Sequence, residues 1–515
     1  MTICTSNFRK IRRTILFYLI ATAIAFPSFI NAHEDNPTYF LHTQHALVQL
    51  DYQTIPIPGY EPLGLSGLHY LHGINQWFYV GFGTDFAMLE GNYGGFFTLD
   101  VTTQIRHQII GNLFGDAGFA FGGGAGGTSA ANSLIIAGNG RYINTYAGMS
   151  YRLHNVFIGI NYSYFHFSNS LINHAQVEFY IQKSISYGAG AYRYLDKTVH
   201  ALSQLFYDKD CPNESKNVFG FELNNFFQYH PQGLSKKTIN LVAVTFAHYL
   251  GANDFAFIEA DAGYYGLPAY NQLVGGLGYH FLLFPKIGLI TQLGVGSGGY
   301  DLAEMNTGSG LLIYPKFALE YSLTRHFALA LTGGYLFAPQ GTFQSFSAGA
   351  AINYYLMTGG KIQHDNIFDK PIFRGFRFHL FNQTEFDVKF QKPTPTNVNL
   401  ISAEGDFFVR EHWFIPAQAS FAYTGYTGYG EALLGFGLQT KPAAAKHFQY
   451  FFQTMVGGNN ASFIIKPELG VDYGLSDSIA LYGMASQTIP INTQELNNFY
   501  SVGLGLTYRF SLLEN

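Results

Sequence analysis

Apolar and polar residues alternate with a period of two in three stretches of this chain that also resemble one another. In the first, Ala147, Met149, Tyr151 and Leu153 alternate with Gly148, Ser150 and Arg152. In the second, Phe317, Leu319, Tyr321 and Leu323 alternate with Ala318, Glu320 and Ser322. In the third, Leu469, Val471, Tyr473 and Leu475 alternate with Gly470, Asp472 and Gly474. Successive side chains of a strand point to opposite faces, so each stretch predicts a strand with one apolar and one small or polar face. Each runs through a short polar turn into another strand. Glycine patches lie upstream at Gly122–Gly127, Gly294–Gly299 and Gly457–Gly458. Aligned on Tyr151, Tyr321 and Tyr473, the copies lie 170 and 152 residues apart (321 − 151 and 473 − 321). Solenoid repeats run at roughly 20–50 residues, so these are three β modules of barrel size.

The modules span residues 43–195, 196–360 and 373–515, with 1–32 as a leader. HALVQLDY (45–52) and HALSQLFY (200–207) open the first two modules and support the duplication. The stretch 357–371 reads as a linker or long loop. At roughly 20 residues per strand and turn, the mature chain has room for about 22–24 strands. Two closures fit: one wide barrel or three of eight strands. The join Arg193–Ala201 is short for an interdomain linker, which favours one wide barrel.

Composition decides the environment. Of 515 residues, 17 % are aromatic and only 12 % charged, about half the charge of an ordinary soluble surface. No run is apolar for the roughly 20 residues of a spanning helix. The remaining way to span a bilayer is a closed barrel, which leaves no backbone group unpaired. Lipid outside, a polar interior and bounding tyrosines fit that reading. The net charge of −5 and the lack of a basic tract beyond the leader predict no nucleic-acid partner. Arg9, Lys10, Arg12 and Arg13 precede a short apolar stretch, Thr14 to Phe26, and Ile30-Asn31-Ala32 is an acceptable cleavage site. This predicts a secretory signal peptide, a mature start at His33 and a place in the cell outer membrane. Cys4 falls in the leader, so Cys211 has no intramolecular partner.

The last strand, SVGLGLTYRF (501–510), resembles the closing-strand signal of bacterial outer-membrane proteins, Gly-x-Gly-x-x-aromatic-x-Phe. That resemblance implies the barrel assembly machinery as a partner in biogenesis. Here five residues, SLLEN, follow Phe510, where the signal usually stops at the aromatic.

Candidate chemistry lies in YFHFSNSLINHAQVEFYIQKSI (164–185). Together with GDAGFAFGGGAGG and the AGMSYRL…FIGINYSYFHFSN hairpin, it resembles the outer-membrane lipid A 3-O-deacylase family over roughly residues 115–185. The resemblance implies an ester hydrolase acting on lipid A, with Ser168 as nucleophile, His166 as base and Glu178 as orienter. Asn169 matches the family's Asn. The equivalent segments of modules two and three, LFAPQG and ASQTIP, lack the motif. Strand periodicity places His166 and Ser168 together on the lipid-facing side, about one bilayer crossing from the turn at Leu153–Asn155. By the same periodicity Glu178 falls on the polar face, away from the pair. A β-bulge near His174–Gln176 would re-aim it. A non-catalytic channel or surface scaffold that retains the motif is the alternative. Other signals are bland. The glycine patch lacks a phosphate loop's Gly-Lys-Ser/Thr. His69 and His72 diverge on a strand and predict no metal site, no cofactor is expected, and Glu320 and Asp472 are expected to line the lumen.

Overall fold

A computed structural model describes residues 38–126, 135–233, 236–267, 270–300, 303–362, 370–390, 394–442, 446–459, 462–491 and 496–515. The proposed leader lies outside them. Residues Tyr39–Asn515 form one compact unit, nearly all of it β-strand as the alternation predicts, and its long strands pair antiparallel.

The first eight strands are β1 (Tyr39–Ile55), β2 (Leu63–Gly73), β3 (Phe78–Ala87), β4 (Phe97–Ile110), β5 (Leu113–Ala125), β6 (Arg141–Leu153), β7 (Val156–Phe167) and β8 (Asn173–Gly190). Each pairs with the next, and β8 returns to pair with β1 from Leu41–Gly190 to Gln53–Glu178. A short β9 (Leu205–Tyr207) lies parallel to the start of β1. The second ring comprises β10 (Ser215–Gln228), β11 (Thr238–Tyr249), β12 (Asp254–Tyr265), β13 (Asn271–Phe284), β14 (Ile287–Gly299), β15 (Leu311–Ser322), β16 (Phe327–Phe337) and β17 (Gln344–Thr358). It closes through β10 and β17. The third comprises β18 (Ile372–Val388), β19 (Thr396–Arg410), β20 (Trp413–Thr424), β21 (Gly430–Gln439), β22 (Phe448–Asn459), β23 (Phe463–Gly474), β24 (Ile479–Ile491) and β25 (Phe499–Glu514), closed through β18 and β25.

The favoured closure, one wide barrel, therefore gives way to its alternative, three eight-stranded barrels. The reason is edge satisfaction: the first and last strands of each module pair along nearly their whole lengths, leaving no free edge to join a wider ring. Single bridges such as Ser511–Gly190 and Thr358–Glu514 tie the rings together. The short join does not force the modules open, because it is not a linker. Tyr192 and Leu195 are buried with Phe408, Phe414, Phe451 and Tyr482 of the third barrel. Residues 196–199 then run along 371–373, with Asp196 and Val199 N–H donating to Phe373 and Pro371 carbonyls at 2.8 and 2.7 Å.

In the first two rings the turns at one end are short, such as 154–155 and 285–286, and the connections at the other end are longer. The exposed faces are apolar: Met149, Tyr151, Ile158, Ile160 and Tyr162 on the first barrel, Leu504 and Leu506 on the third. Where barrels meet, the outward residues are mostly aromatic. Phe82 stacks on Phe378 at 4.9 Å, His72 lies 4.2 Å from Tyr508, and Phe219 and Tyr354 flank Phe407. The long-loop ends are also joined: Gly94 N–H donates to Gly308 carbonyl at 2.8 Å, Ser297 to Ala87 at 2.6 Å and Thr427 to Gly138 at 3.1 Å.

In β25, Val502, Leu504 and Leu506 face out and Ser501, Thr507 and Arg509 face in. SLLEN, apart from Asn515, continues this strand, and Glu514 accepts from Tyr354 at 2.8 Å and ion-pairs with Arg374, joining the second and third barrels. Cys211 sits in the loop before β10, free and buried. Burial, with Asp208 nearby, pushes its thiol up to about 11. Little thiolate exists at pH 8, so maleimide labelling of the folded protein should be slow there and rise with pH toward 11. Boiling in SDS should restore ordinary thiol reactivity; mass spectrometry of the labelled chain reads both.

Candidate functional site

β7 carries Ile158, Ile160, Tyr162 and Tyr164 outward and Phe157, Gly159, Asn161, Ser163 and Phe165 inward. His166 continues the outward row at the long-loop end, half-buried and parallel to the Tyr164 ring. Its Nδ1 is buried without a hydrogen-bond partner among the described residues. Ser168 follows in the turn, where its Oγ accepts from Arg141 Nε at 3.1 Å, its N–H donates to the Arg141 carbonyl at 2.9 Å, and its carbonyl accepts from Asn139. Asn169 turns the chain in the left-handed region (φ 59°). His166 and Ser168 thus share the loop-end rim, as their spacing predicts, but Ser168 Oγ is engaged by Arg141.

Glu178 is elsewhere. The β7–β8 register runs without a shift from His166–Asn173 to Val156–Lys183, so the bulge that would re-aim Glu178 is absent. Glu178 pairs with Asn161, five residues along β7 from His166, or about 17 Å at ~3.3 Å per residue. Its side chain points into the barrel and accepts from Asn161 Nδ2 at 2.7 Å. A carboxylate on the opposite face of the wall cannot orient His166. The expected Ser168–His166–Glu178 set is not assembled, because unbroken pairing preserves the two-residue period.

The interior holds the other polar constellations. An eight-stranded barrel is just wide enough for side chains to fill, and these do. In the second barrel Lys316 Nζ donates to Glu222 and Glu259 at 2.7 and 2.8 Å. In the third, Arg377 donates to Asp406 at 2.9 Å and Asp472 at 3.2 Å, enclosed by the rings of Phe408, Phe414 and Phe451. Lys466 there bonds Glu431 at 2.9 Å. Glu320 and Asp472 line the lumen as expected. In the first barrel, Arg106 pairs with Asp116 at 2.6 Å and reaches Gln182. Apolar clusters close the loop ends of the first and third barrels, around Tyr142, Phe165 and Phe167 and around Tyr429, Met455 and Ile464.

Near the loop end of the first barrel, two inward rungs adjoin. One runs Asp51–Gly67–Asp85 across β1, β2 and β3; the other runs Gln49–His69–Gly83–Asp100 across β1 to β4. His69 Nε2 lies 3.1 Å from Asp51 Oδ2 and 3.7 Å from Asp85 Oδ1. His72 faces out against Tyr508, so the two histidines diverge as expected. The cluster itself was not legible, because its acids lie on neighbouring strands. Its within-strand trace is a glycine two residues before an inward polar group, at Gly67/His69 and Gly83/Asp85.

No family model matches the chain, so the deacylase resemblance rests on the quoted residues alone. No curated protein matches it either. Solved structures align weakly. The ferric enterobactin receptor of Pseudomonas aeruginosa aligns over 91 % of this chain and 81 % of its own, with 8 % identity and a TM-score of 0.27. A bacterial polysaccharide outer membrane secretin aligns over 90 % and 98 %, with 8 % identity and a TM-score of 0.20. The NanC porin aligns over 56 % and 98 %, with 10 % identity and a TM-score of 0.16. At such TM-scores none of these alignments bears on activity. The fold's own class is clear: antiparallel eight-stranded barrels with apolar exteriors and filled polar interiors.

Proposed function

We propose that the chain is an integral protein of a bacterial outer membrane, a non-catalytic scaffold of three barrels whose joined loop ends form one surface platform. The observation that carries this reading is the outward apolar wall around interiors packed with ion pairs, hydrogen bonds and aromatic side chains. Such a wall needs lipid, and side chains fill such an interior among the described residues, which favours a scaffold over a channel. The barrel assembly machinery inserts it, and lipid A of the outer leaflet surrounds its long-loop end.

A second reading, a lipid A 3-O-deacylase-like esterase, draws on His166 and Ser168 at the outward rim. It requires Ser168 Oγ to exchange Arg141 for His166 and an orienter other than Glu178. One experiment separates the two: lipid A mass spectra from cells with and without the chain, alongside fractionation. The scaffold reading expects a heat-modifiable outer-membrane protein and unchanged lipid A. Loss of the 3-linked acyl chain with wild type but not with Ser168→Ala would replace it with the esterase. Ser168→Ala should insert normally, since a rim substitution shifts stability by about 0.5 kcal/mol at most.

A further inference from the structure

The first barrel's interior is short of positive charge. Its buried carboxylates are Asp51, Asp85, Asp100, Asp116 and Glu178, and Arg106 is its only buried Lys or Arg among the described residues. Arg106 is committed to Asp116. The other barrels supply an internal comparison. In the second, the rung Glu222–Ala243–Asp261 across its first three strands repeats the acid–small–acid order of Asp51–Gly67–Asp85. There Lys316 bridges Glu222 to Glu259. The 170-residue offset puts Tyr146 where Lys316 would be, and a tyrosine brings no cation. In the third barrel Arg377 already occupies Asp406, so the neighbouring His379 and Glu404 have a protein cation beside them.

We propose that the interior of the first barrel binds one divalent transition-metal ion through Asp51, Asp85 and His69 Nε2, with Asp100 facing the same layer. The three ligand atoms all lie within 4.8 Å of one another. Around a tetrahedral ion with bonds of about 2.0–2.1 Å, ligand atoms sit roughly 3.3 Å apart. The His69–Asp51 and His69–Asp85 separations, 3.1 and 3.7 Å, bracket that value. Both carboxylates are held by neighbouring donors. Gln49 Nε2 donates at 2.7 Å to Asp51 Oδ2, the oxygen that faces His69, and Thr98 Oγ1 donates at 3.0 Å to Asp85 Oδ2, the far oxygen of that carboxylate. Tyr142 donates to Asp100 Oδ2 at 2.6 Å, while Asp100 Oδ1, in a residue 1 % exposed, has no partner among the described residues.

Space is reserved as well. A methyl group at Gly67 would collide with Asp51 and His69, and one at Gly83 with the His69 ring. Two carboxylates and a neutral imidazole around a divalent ion sum to zero charge. One nitrogen with carboxylate oxygens suits zinc, manganese, iron or cobalt better than magnesium or calcium.

The test uses the full chain purified from outer membranes in detergent. Elemental analysis should find about one first-row ion per chain, as the one-site assignment requires. After refolding with chelator, added Co²⁺ should give the visible bands of a low-coordinate nitrogen–oxygen site, and Zn²⁺ should remove them. His69→Gln, confirmed folded by heat-modifiable migration, should lower retained ion at least about tenfold. The wild-type cobalt spectrum stands as the test should that variant not fold. A folded wild type that retains neither Co²⁺ nor Zn²⁺ overturns the proposal and leaves His69 as an imidazolium between two carboxylates. Ion retained in His69→Gln but lost in His379→Gln overturns the assignment to the first barrel.

Discussion

Arg377→Ala should destabilise the third barrel by about 3–5 kcal/mol, the cost of stranding a buried charge without its partner. The guanidinium is fully enclosed, bonds Asp406 and Asp472, and lies 4.7–4.9 Å from the centroids of Phe408, Phe414 and Phe451. Its removal leaves two carboxylates in a closed interior and a cavity among three rings. Arg377→Met fills most of that volume but still strands the acids, so it should recover only part of the loss. Adding Asp406→Asn to Arg377→Met should recover more, because one orphaned charge disappears. The two tryptophans make the measurement specific: Trp77 belongs to the first barrel and Trp413 to the third. In a Trp77→Phe background, the urea midpoint of Trp413 fluorescence in detergent reports the third barrel. An unfolding free energy for Arg377→Ala, from midpoint and slope, within about 1 kcal/mol of wild type would show the ion network to be energetically idle.

Tyr192→Ala should be nearly as costly to the same barrel, although Tyr192 lies in the join between the first and second. The ring is 1 % exposed and packs edge-on to Phe408 at 5.8 Å. Its hydroxyl donates to Gln439 at 3.1 Å and accepts from Gln449 at 3.4 Å, and Arg509 sits 5.3 Å from its ring centre. Truncating a buried aromatic costs about 3–5 kcal/mol. Tyr192→Phe keeps the packing and should cost about 1 kcal/mol per net hydrogen bond lost. The Trp413 midpoint should therefore fall steeply for Tyr192→Ala and slightly for Tyr192→Phe. Equal midpoints for wild type and Tyr192→Ala would mean that the join merely passes beneath the third barrel.

The candidate site divides along the same line as the fold. Alternation alone puts His166 outward and Glu178 inward, and unbroken β7–β8 pairing keeps them so. The resemblance that joins them into a catalytic set needs a bulge the strands do not contain. Conversely, His69 looked idle beside His72 because its partners, Asp51 and Asp85, lie on strands β1 and β3. Their meeting depends on the register Asp51–Gly67–Asp85, which no local pattern states.

By itself the sequence determined what a two-residue period and a repeat can determine: an all-β chain, three modules, apolar outward faces, lumenal Glu320 and Asp472, and the outward run Val502, Leu504, Leu506 of the last strand. These follow from which side of a strand each Cβ takes, a property of neighbours in the chain. The tertiary structure alone decided that β1 closes on β8, β10 on β17 and β18 on β25, and that Tyr192 seals another module's barrel. It alone brought Asp51, His69 and Asp85 into one layer. Strand partners and register are set by pairing between residues far apart in sequence, where an eight-stranded ring that satisfies its own edges competes with every wider closure.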